Sequence, residues 1–272
     1  MNVSGKTAIV TGGGRGIGAA IATALVREGA RVLIADLDEQ PARDLAAELG
    51  QQWPGRSVAV GGDVSDPAAI TAMIERASGE FGSVDMYFAN AGIFGEPGLG
   101  EGDGGWDRAF EVNVRAHVRA AQQLVPGWLE RGEGYFVSTA SAAGLLTQLG
   151  MAAYSTTKHA AVGFAEWLSI AYGDKGIRVS CLCPMGVATD LLSTGADAAD
   201  PDVAFAARSV GTAGQILAPD TVADAVLAAI AEERFLILPH PEVLEMYRHK
   251  GSDYDRWLAG MRRFQAALTE SE

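Results

Sequence analysis

The sequence predicts an α/β protein in which about seven parallel strands form one doubly wound sheet with helices on both faces. Short continuous apolar runs alternate with segments of helical periodicity from the first residues onward, which is typical of a parallel sheet that is covered on both sides. A glycine-rich turn joins the first predicted strand to the first predicted helix. The length of 272 residues suits one large domain, and no linker or internal repeat divides the chain.

The predicted elements follow one another in the order that this fold requires. Short apolar and β-branched runs predict seven strands, at residues 6–10, 31–35, 57–60, 84–89, 135–139, 178–183 and 235–238. Apolar residues at helical spacing predict helices at residues 17–28, 39–49, 67–80, 106–130, 152–172 and 221–231. Residues 186–218 are weakly patterned and rich in small residues, so we expect an irregular segment whose part after Thr189 closes over a substrate.

We expect residues 1–240 to form the main domain and residues 241–272 to form a helical C-terminal extension. Trp257, Met261 and Phe264 recur in the extension at helical spacing, which predicts one apolar face. Two interpretations of this face stay open. It packs on its own domain, or it reaches a neighbouring subunit and covers that subunit's pocket.

Composition and charge exclude several classes of function. A formal net charge of −13 makes nucleic acid or an anionic membrane surface an unfavourable partner. No apolar run approaches the roughly 20 residues that span a bilayer, and no leader precedes the first strand, so we expect a cytoplasmic protein. Cys181 and Cys183 alternate along a predicted strand, which favours two small buried side chains over a disulfide or a zinc site. No metal site is predicted.

The turn after the first strand has the composition of a phosphate-binding site. Its sequence from Thr11 to Gly18 is TGGGRGIG. Glycines allow the backbone to approach a ligand closely, and the amides at the start of a helix can face a pyrophosphate. Between a strand and a helix, the turn predicts Rossmann-type dinucleotide binding. The residues expected to contact the dinucleotide here are Gly12, Gly14, Arg15, Gly16, Ile17 and Gly18.

Asp36, at the end of the second strand, predicts which dinucleotide is bound. Its carboxylate can accept hydrogen bonds from the adenosine ribose hydroxyls and would repel a 2′-phosphate. Leu37 is a further expected contact, and Asp38 adds a second negative charge. Arg15 points the other way, because a cation in the turn could pair with that phosphate. We predict NAD over NADP, and a helix-capping role for Asp36 is the alternative.

Tyr154 and Lys158 form the pair that most strongly indicates chemistry. They lie four residues apart on a predicted helix and therefore share one face. A tyrosine has an ordinary pKa of about 10, which must fall by about 3 for proton exchange near pH 7. An ammonium about 4 Å away can lower the pKa by that order. A pair of this kind is also common on solvated helix faces, so the remaining motifs must decide.

With these motifs, the chain resembles the short-chain dehydrogenase/reductase family over roughly residues 4–240. The glycine turn has the family's TGxxxGxG spacing, and Asn113 stands at the place of the family's helical asparagine. Ser141 precedes Tyr154 by 13 residues, as the family's serine does, which favours it over nearby Ser138. Further matches are Asp63-Val64, Asn90-Ala91-Gly92 and residues 184–189, where Met185 replaces the usual glycine.

The resemblance implies an oxidoreductase with the catalytic residues Asn113, Ser141, Tyr154 and Lys158. Tyr154 would exchange a proton with the substrate, and Lys158 would lower its pKa and hold the nicotinamide ribose. Ser141 would bind the substrate oxygen, and Asn113 would hold a water linked to Lys158. Cofactor contacts are implied for Asp63, Val64, Asn90, Ala91, Gly92, Tyr154, Lys158, Pro184, Gly186, Val187 and Thr189. Family members are usually tetramers or dimers, so we expect a homo-oligomer, with a homotetramer as the first expectation.

We therefore expect an NAD-dependent enzyme that interconverts a hydrophobic secondary alcohol and its ketone. The residues that flank the catalytic motifs are nearly all apolar, which favours an uncharged substrate. The pocket candidates are Ala143, Leu145, Leu146, Leu149, Met151, Met185 and Leu191, although core packing would explain each of them equally well. Two alternatives stay open: an NADPH-dependent carbonyl or imine reductase, and a dinucleotide-binding sensor or scaffold without catalysis. We expect His117 and His159 to be surface or packing residues.

Overall fold

The computed structural model describes residues 1–196 and 200–270, and its centre is one sheet of seven parallel strands. Their order across the sheet is β3-β2-β1-β4-β5-β6-β7. The strands are β1 (Thr7–Thr11), β2 (Arg31–Asp36), β3 (Ser57–Gly61), β4 (Met86–Ala89), β5 (Gly134–Thr139), β6 (Ile177–Leu182) and β7 (Leu236–Ile237). The predicted fold class is confirmed, and each predicted strand is present within two residues of its expected bounds.

The sheet is buried on both faces because its strands carry apolar side chains on both sides. Ile9 and Leu33 pack into one core cluster, and the residues that follow them, Val10 and Ile34, pack into the other. One layer of helices consists of α1 (Gly16–Arg27), α2 (Glu39–Gln52) and α10 (Pro219–Glu232). The opposite layer consists of α3 (Pro67–Phe81), α5 (Ala116–Arg131) and α7 (Ala152–Tyr172).

The direction of winding reverses between β1 and β4, which are neighbours in the sheet but distant in sequence. A crevice forms at such a reversal, beyond the carboxyl ends of the strands, and doubly wound proteins bind their ligands there. The turns that follow β1, β4 and β5 all open at this edge. The fold therefore brings the predicted glycine turn and the predicted catalytic motifs to one place.

The helix predicted over residues 106–130 is interrupted around Asn113. The chain forms α4 (Asp103–Phe110), then a π-helical turn (Glu111–Arg115), and then α5 without a change of direction. A π turn inserts an extra residue into a helix, and such turns are frequent at functional sites. The insertion explains how an asparagine, which is unfavourable inside a helix, is accommodated with its side chain fully buried.

The expectation of an irregular segment over residues 186–218 was wrong for most of its length. Residues Asp190–Ala196 form α8 and Pro201–Ala213 form α9. Asp200 begins α9 as an N-cap, because its side chain accepts hydrogen bonds from the backbone N–H groups of Asp202 (2.9 Å) and Val203 (3.4 Å). Residues 197–199, within this segment, lie outside the described residues.

The predicted C-terminal extension consists of two helices, α11 (Glu242–Ser252) and α12 (Tyr254–Thr269). A short helix, α6 (Ala143–Leu146), lies between β5 and α7 and contacts α11. Val243 at the start of α11 is completely buried in the core. Across residues 1–196 and 200–270, none of the helices has the length and apolar character needed to cross a bilayer.

Candidate active site

A cavity of about 710 Å³ opens at the carboxyl edge of the sheet. Its walls come from the segments that follow strands β1 to β6, from the π turn, and from helices α4, α7, α8, α9, α11 and α12. All the predicted cofactor contacts except Gly14 line it, and so do Ser141, Tyr154 and Lys158. The cavity therefore joins the glycine turn to three of the four predicted catalytic residues, and the fourth, Asn113, is fully buried and does not line it. Within the described part of the chain, no group of three histidine, cysteine or acidic side chains could hold a metal ion.

The glycine turn fits a dinucleotide because it leaves space that side chains would fill. Gly12 and Gly16 have φ of 59° and 54°, in the region that favours glycine. A Cβ on Gly18 would lie only 2.0 Å from the Gly12 carbonyl oxygen. Helix α1 begins at Gly16, at the cavity wall, with no acidic residue in its first turn. The partial positive charge at its amino end is therefore not neutralised by a carboxylate of that turn.

Gly14, a predicted cofactor contact, does not line the cavity and instead supports Asp36. Its backbone N–H donates a hydrogen bond to Asp36 Oδ2 at 2.9 Å. The N–H of Asp38 donates to the other carboxylate oxygen at 3.2 Å. The Asp36 carboxylate is thus fixed at the end of β2, on the cavity wall beside Leu37.

Arg15 is engaged by acidic side chains on the surface of the turn. Its guanidinium lies 3.1 Å from Asp38 Oδ2 and 3.9 Å from Asp190 Oδ2. Asp38 also caps α2 by accepting a hydrogen bond from the Gln40 N–H. The positive charge that could attract a 2′-phosphate therefore already faces two carboxylates.

Asn90 links the ends of three strands. Its side-chain amide donates to the carbonyl oxygens of Thr11 (3.0 Å) and Gly12 (3.2 Å), and its oxygen accepts from the Thr139 hydroxyl (3.2 Å). The Thr11 hydroxyl accepts hydrogen bonds from the backbone N–H groups of Asn90 and Ala91. This network fixes the glycine turn against the segment after β4.

Asp63 and Val64 line the cavity after β3, where the resemblance implies contacts with adenine. Burial acts to raise the pKa of Asp63, but hydrogen bonds from Ser65 and Arg108 outweigh it and hold that pKa below its usual value. The Arg108 guanidinium lies 3.0 Å from the carboxylate. Asp63 therefore stays ionised and anchored to the helix that precedes Asn113.

Tyr154 is buried at the inner end of the cavity. Its ring packs edge-on against Phe94, with the ring centroids 4.8 Å apart. The Ser141 side chain lies close enough to act on the pKa of the Tyr154 hydroxyl, and its Oγ accepts a hydrogen bond from the Ala143 N–H at 3.1 Å. The structure thus brings Ser141 to Tyr154. The alternative, Ser138, lies in the core, where its hydroxyl is 3.0 Å from Nδ1 of the buried His117.

The electrostatics of Tyr154 differ from the sequence-based expectation. Burial raises its pKa above the ordinary value, and the Ser141 side chain opposes this only in part. Lys158 Nζ lies 5.6 Å from the centroid of the tyrosine ring and donates to the Thr139 carbonyl oxygen at 3.0 Å. The expected lowering of the tyrosine pKa by Lys158 is therefore not produced by the protein alone, because the loss of hydration dominates.

Lys158 is itself buried, and burial lowers its pKa to about 8. The neighbouring Cys181 and Cys183 act weakly in the opposite direction. The two thiols are free and buried, as expected, with their sulfur atoms 3.8 Å apart. Close to neutral pH, the site holds an ammonium whose proton is bound less tightly than in water.

Asn113 links the segment after β4 to the helix that carries Tyr154. Its Oδ1 accepts from the Ile93 N–H (2.9 Å), and its Nδ2 donates to the Ile93 carbonyl oxygen (2.9 Å) and to Thr157 Oγ1 (3.0 Å). A Cβ on Gly92 would lie 3.2 Å from both Asn113 Oδ1 and Lys158 Nζ. Glycine at position 92 therefore allows the close approach of these two side chains.

The segment after β6 accepts Met185 where the family usually has glycine. The non-glycine residues with positive φ in the described ranges are Thr147 and Glu233, so the backbone at Met185 does not need a glycine. The Met185 N–H donates to His240 Nδ1 (3.2 Å), and His240 Nε2 donates to the Gln215 carbonyl oxygen (2.9 Å). His240 was not predicted as a site residue, because it lies more than fifty residues away in sequence.

Most of the predicted substrate-pocket residues lie at the cavity. Ala143, Leu146, Leu149, Met185 and Leu191 line it. Leu145 and Met151 do not: Leu145 packs in the main core from the short helix α6, and Met151 packs in a small cluster with Tyr154. Phe94, Met246 and Val210 also line the cavity, although no sequence pattern predicts them there. Trp257, Met261 and Phe264 line it too, and their helical spacing is visible in the sequence.

Comparison with known proteins agrees with this geometry. The family model described as short chain dehydrogenase matches residues 6–199. The 2-(S)-hydroxypropyl-CoM dehydrogenase 3 of Xanthobacter autotrophicus is 37% identical over 232 residues, which cover 82% of this chain and 89% of that protein. The 3beta-hydroxysteroid dehydrogenase 2 of Eggerthella lenta is 35% identical over 192 residues, covering 70% and 74%.

Solved structures show the same arrangement with either form of cofactor. A short chain dehydrogenase/reductase from Burkholderia phymatum in complex with NAD superposes with a TM-score of 0.85 at 31% identity, covering 94% of this chain and 96% of that one. The L-sorbose reductase of Gluconobacter frateurii, complexed with NADPH and L-sorbose, gives 0.77 at 27% identity, covering 88% and 97%. The chain therefore belongs to the short chain dehydrogenase family, and it is an oxidoreductase that uses a nicotinamide dinucleotide.

Proposed function

We propose that the protein is an NAD-dependent dehydrogenase that interconverts an uncharged, hydrophobic secondary alcohol and its ketone. The observation that carries the proposal is the pairing of Tyr154 with Ser141 at the inner end of a cavity that continues into the glycine turn. The two relatives are named as dehydrogenases of a hydroxypropyl and a hydroxysteroid compound, which supports a hydroxyl-bearing substrate. A homo-oligomeric assembly and a cytoplasmic location remain predictions from the sequence.

In this proposal, the side chains divide the proton chemistry between them. When bound, an oxidised nicotinamide dinucleotide would supply the hydride acceptor and a positive charge that favours the tyrosinate form of Tyr154. Tyr154 takes the hydroxyl proton of the alcohol and returns a proton to the ketone in the reverse direction. Ser141 donates a hydrogen bond to the substrate oxygen, where negative charge develops. Lys158, with a pKa near 8, passes the proton outward.

Asn113 serves in this proposal as a positioning residue. Its fully buried side chain is committed to hydrogen bonds with Ile93 and Thr157. The water that the resemblance implies at this position would therefore bind the backbone carbonyl oxygen of Asn113 and not its side chain. By holding the segment after Gly92 in place, Asn113 keeps the wall of the nicotinamide site and the environment of Lys158 fixed.

The preference for NAD is supported by the charges around the adenosine ribose site. The carboxylate of Asp36 is held by two backbone N–H groups and faces the cavity. A 2′-phosphate would meet this charge directly. Arg15 does not offset the repulsion, because Asp38 and Asp190 surround its guanidinium.

Replacing Tyr154 by phenylalanine tests the proton-transfer role. We expect Tyr154→Phe to lower kcat by roughly 10²- to 10⁴-fold, the range attributed to general acid–base catalysis. Titration of NADH fluorescence should show that cofactor affinity is retained. Tyr172→Phe, at the far end of the same helix, is the matched control and should keep full activity. A Tyr154→Phe enzyme with more than about a tenth of the wild-type kcat would exclude this role.

Replacing Lys158 by methionine tests whether the site reduces stability. The folded-state pKa of about 8 lies below the ordinary 10.5, so the unfolded chain binds the proton more tightly and wild-type stability rises between pH 8 and 10.5. At pH 7 this burial cost is present in full, about 3 kcal/mol. Losing the hydrogen bond to Thr139 offsets about 1 kcal/mol of that gain.

We therefore expect inactive Lys158→Met to exceed the wild type in free energy of unfolding by about 2 kcal/mol at pH 7. The difference should shrink as pH rises towards 10, as urea denaturation at several pH values would show. Lys175→Met, at an exposed position, should show no such pH dependence. A variant less stable than the wild type at pH 7 would contradict the burial cost.

Replacing Asp36 by serine tests the choice of cofactor. Loss of charge-assisted hydrogen bonds to the ribose and of repulsion towards a 2′-phosphate should lower the ratio of kcat/KM for NAD to that for NADP by roughly 10- to 100-fold. Asp44→Ser, on the exposed face of α2, controls for a general change in charge. Wild-type preference for NADP, or an unchanged ratio in Asp36→Ser, would show that another residue selects the cofactor.

A further inference from the structure

We propose that the C-terminal helix α12 forms the outer wall of the substrate site in its own subunit. This wall selects uncharged alcohols and ketones whose hydrocarbon body is long enough to reach α12 from Tyr154. The inference rests on the proposed function, because it assumes that the substrate reacts at Tyr154. Three side chains make the wall: Trp257, Met261 and Phe264.

The three wall residues and the proposed catalytic residues line the same cavity. Trp257, Met261 and Phe264 line it together with Tyr154 and Ser141. They are spaced four and three residues apart, so they project from one face of α12. The extension therefore contributes to the pocket of the chain that carries it.

The apolar face of α12 is only partly covered by protein, although Trp257 packs against the main core. No described side chain of α12 is fully buried, and its three wall residues are only partly buried. The outward face carries Arg262, Arg263 and other exposed side chains. An amphipathic helix whose apolar face borders an open cavity needs an apolar occupant, and continuity with Tyr154 identifies that occupant as the substrate.

The charged side chains are confined to one part of the cavity lining. Its charged lining residues in the described chain are Arg15, Asp36, Asp63, Arg108, Lys158 and Asp190, which lie at the cofactor end or beside Tyr154. The rest of the lining is mainly apolar, as at Phe94, Leu149, Met185, Leu192, Val210 and Met246, and its polar members, such as Thr147, Gln148, Ser209 and Thr212, carry no charge. A charged substrate would lose its hydration there without gaining an ionic partner.

The C-terminal extension is attached to the rest of the domain through Lys250. The buried Lys250 on α11 donates to the Leu145 carbonyl oxygen at 2.6 Å. Its Nζ also lies 3.3 Å from His159 Nε2, while His159 Nδ1 hydrogen-bonds the Ser155 carbonyl oxygen on α7. Lys250 therefore fixes α11 to the segment that follows Ser141 and to the catalytic helix, which gives α12 a defined position over the pocket.

The test compares a one-ring alcohol with a four-ring alcohol. In NAD-linked assays with cyclohexanol and a 3β-hydroxysteroid, we expect Trp257→Ala and Phe264→Ala to lower kcat/KM for the steroid by roughly 10- to 100-fold, the contribution of a buried aromatic side chain. The value for cyclohexanol should change by less than about threefold. Leu258→Ala, on the exposed side of the same helix, is the matched control and should change neither.

The outcomes separate the two proposals. If the wild type turns over neither alcohol nor the matching ketones with either dinucleotide, the proposed function fails. Calorimetric binding of the steroid to the wild type but not to Trp257→Ala would then still support the wall, and equal or absent binding would overturn it.

If the wild type is active, equal steroid kinetics in the wild type and both variants would overturn the wall. The same conclusion would follow from an equal loss with both alcohols, or from a wild type that accepts only cyclohexanol. A fall in mass by light scattering in Trp257→Ala, without selective loss of steroid turnover, would assign the face to a subunit interface instead.

Discussion

The buried ammonium of Lys158 is the constraint on which the arrangement of the site depends. A cation removed from water needs polar partners close by, and within the described chain Lys158 forms a hydrogen bond with the Thr139 carbonyl oxygen and no ion pair. Burial consequently lowers its pKa to about 8. The end of β5 must therefore turn a carbonyl towards α7, and the chain after β4 must pass without a side chain at Gly92, where a Cβ would lie 3.2 Å from the ammonium nitrogen. In the proposed function, this lowered pKa makes the Lys158 proton easy to exchange near neutral pH.

Close backbone approach explains the other glycines that matter. Gly18 brings α1 against the Gly12 carbonyl, where a Cβ would lie at 2.0 Å. Asn90 then binds the same carbonyl from the neighbouring strand. Since strands β1 and β4 meet at the point where the winding reverses, this contact joins the two halves of the sheet across the crevice. The glycine turn and the predicted catalytic Lys158 are thus linked through Asn90 and Thr139.

The fold could be predicted from the sequence because the patterns that indicate it lie within single strands, helices and turns. Buried parallel strands are continuous apolar runs, and Tyr154, Lys158, Ser141 and Asn113 stand at fixed spacings within or beside those elements. Contacts between distant segments were not predictable. His240 reaches Met185, and Lys250 reaches Leu145 over 105 residues, with no local pattern to indicate either. Neighbouring residues can also face opposite ways, which is why Leu146 lines the cavity while Leu145 packs in the core. The pKa of Tyr154 was misjudged because the depth of its burial depends on Phe94 and the surrounding fold.

The two ends of the cavity use different physical chemistry, and the difference bears on catalysis. At the cofactor end, ion pairs and backbone amides fix charged groups at defined positions, as at Asp36 and Asp63. At the substrate end, the walls are apolar and contributed by α8, α9 and α12, which lie outside the sheet. Apolar burial is proportional to area and has little directional preference, so it holds a substrate without dictating the position of the reacting carbon. Direction must come from Ser141 and Tyr154, the polar pair at the inner end. Binding free energy gained against Trp257 and Phe264, far from the reacting atoms, can then stabilise the ordered arrangement at that pair.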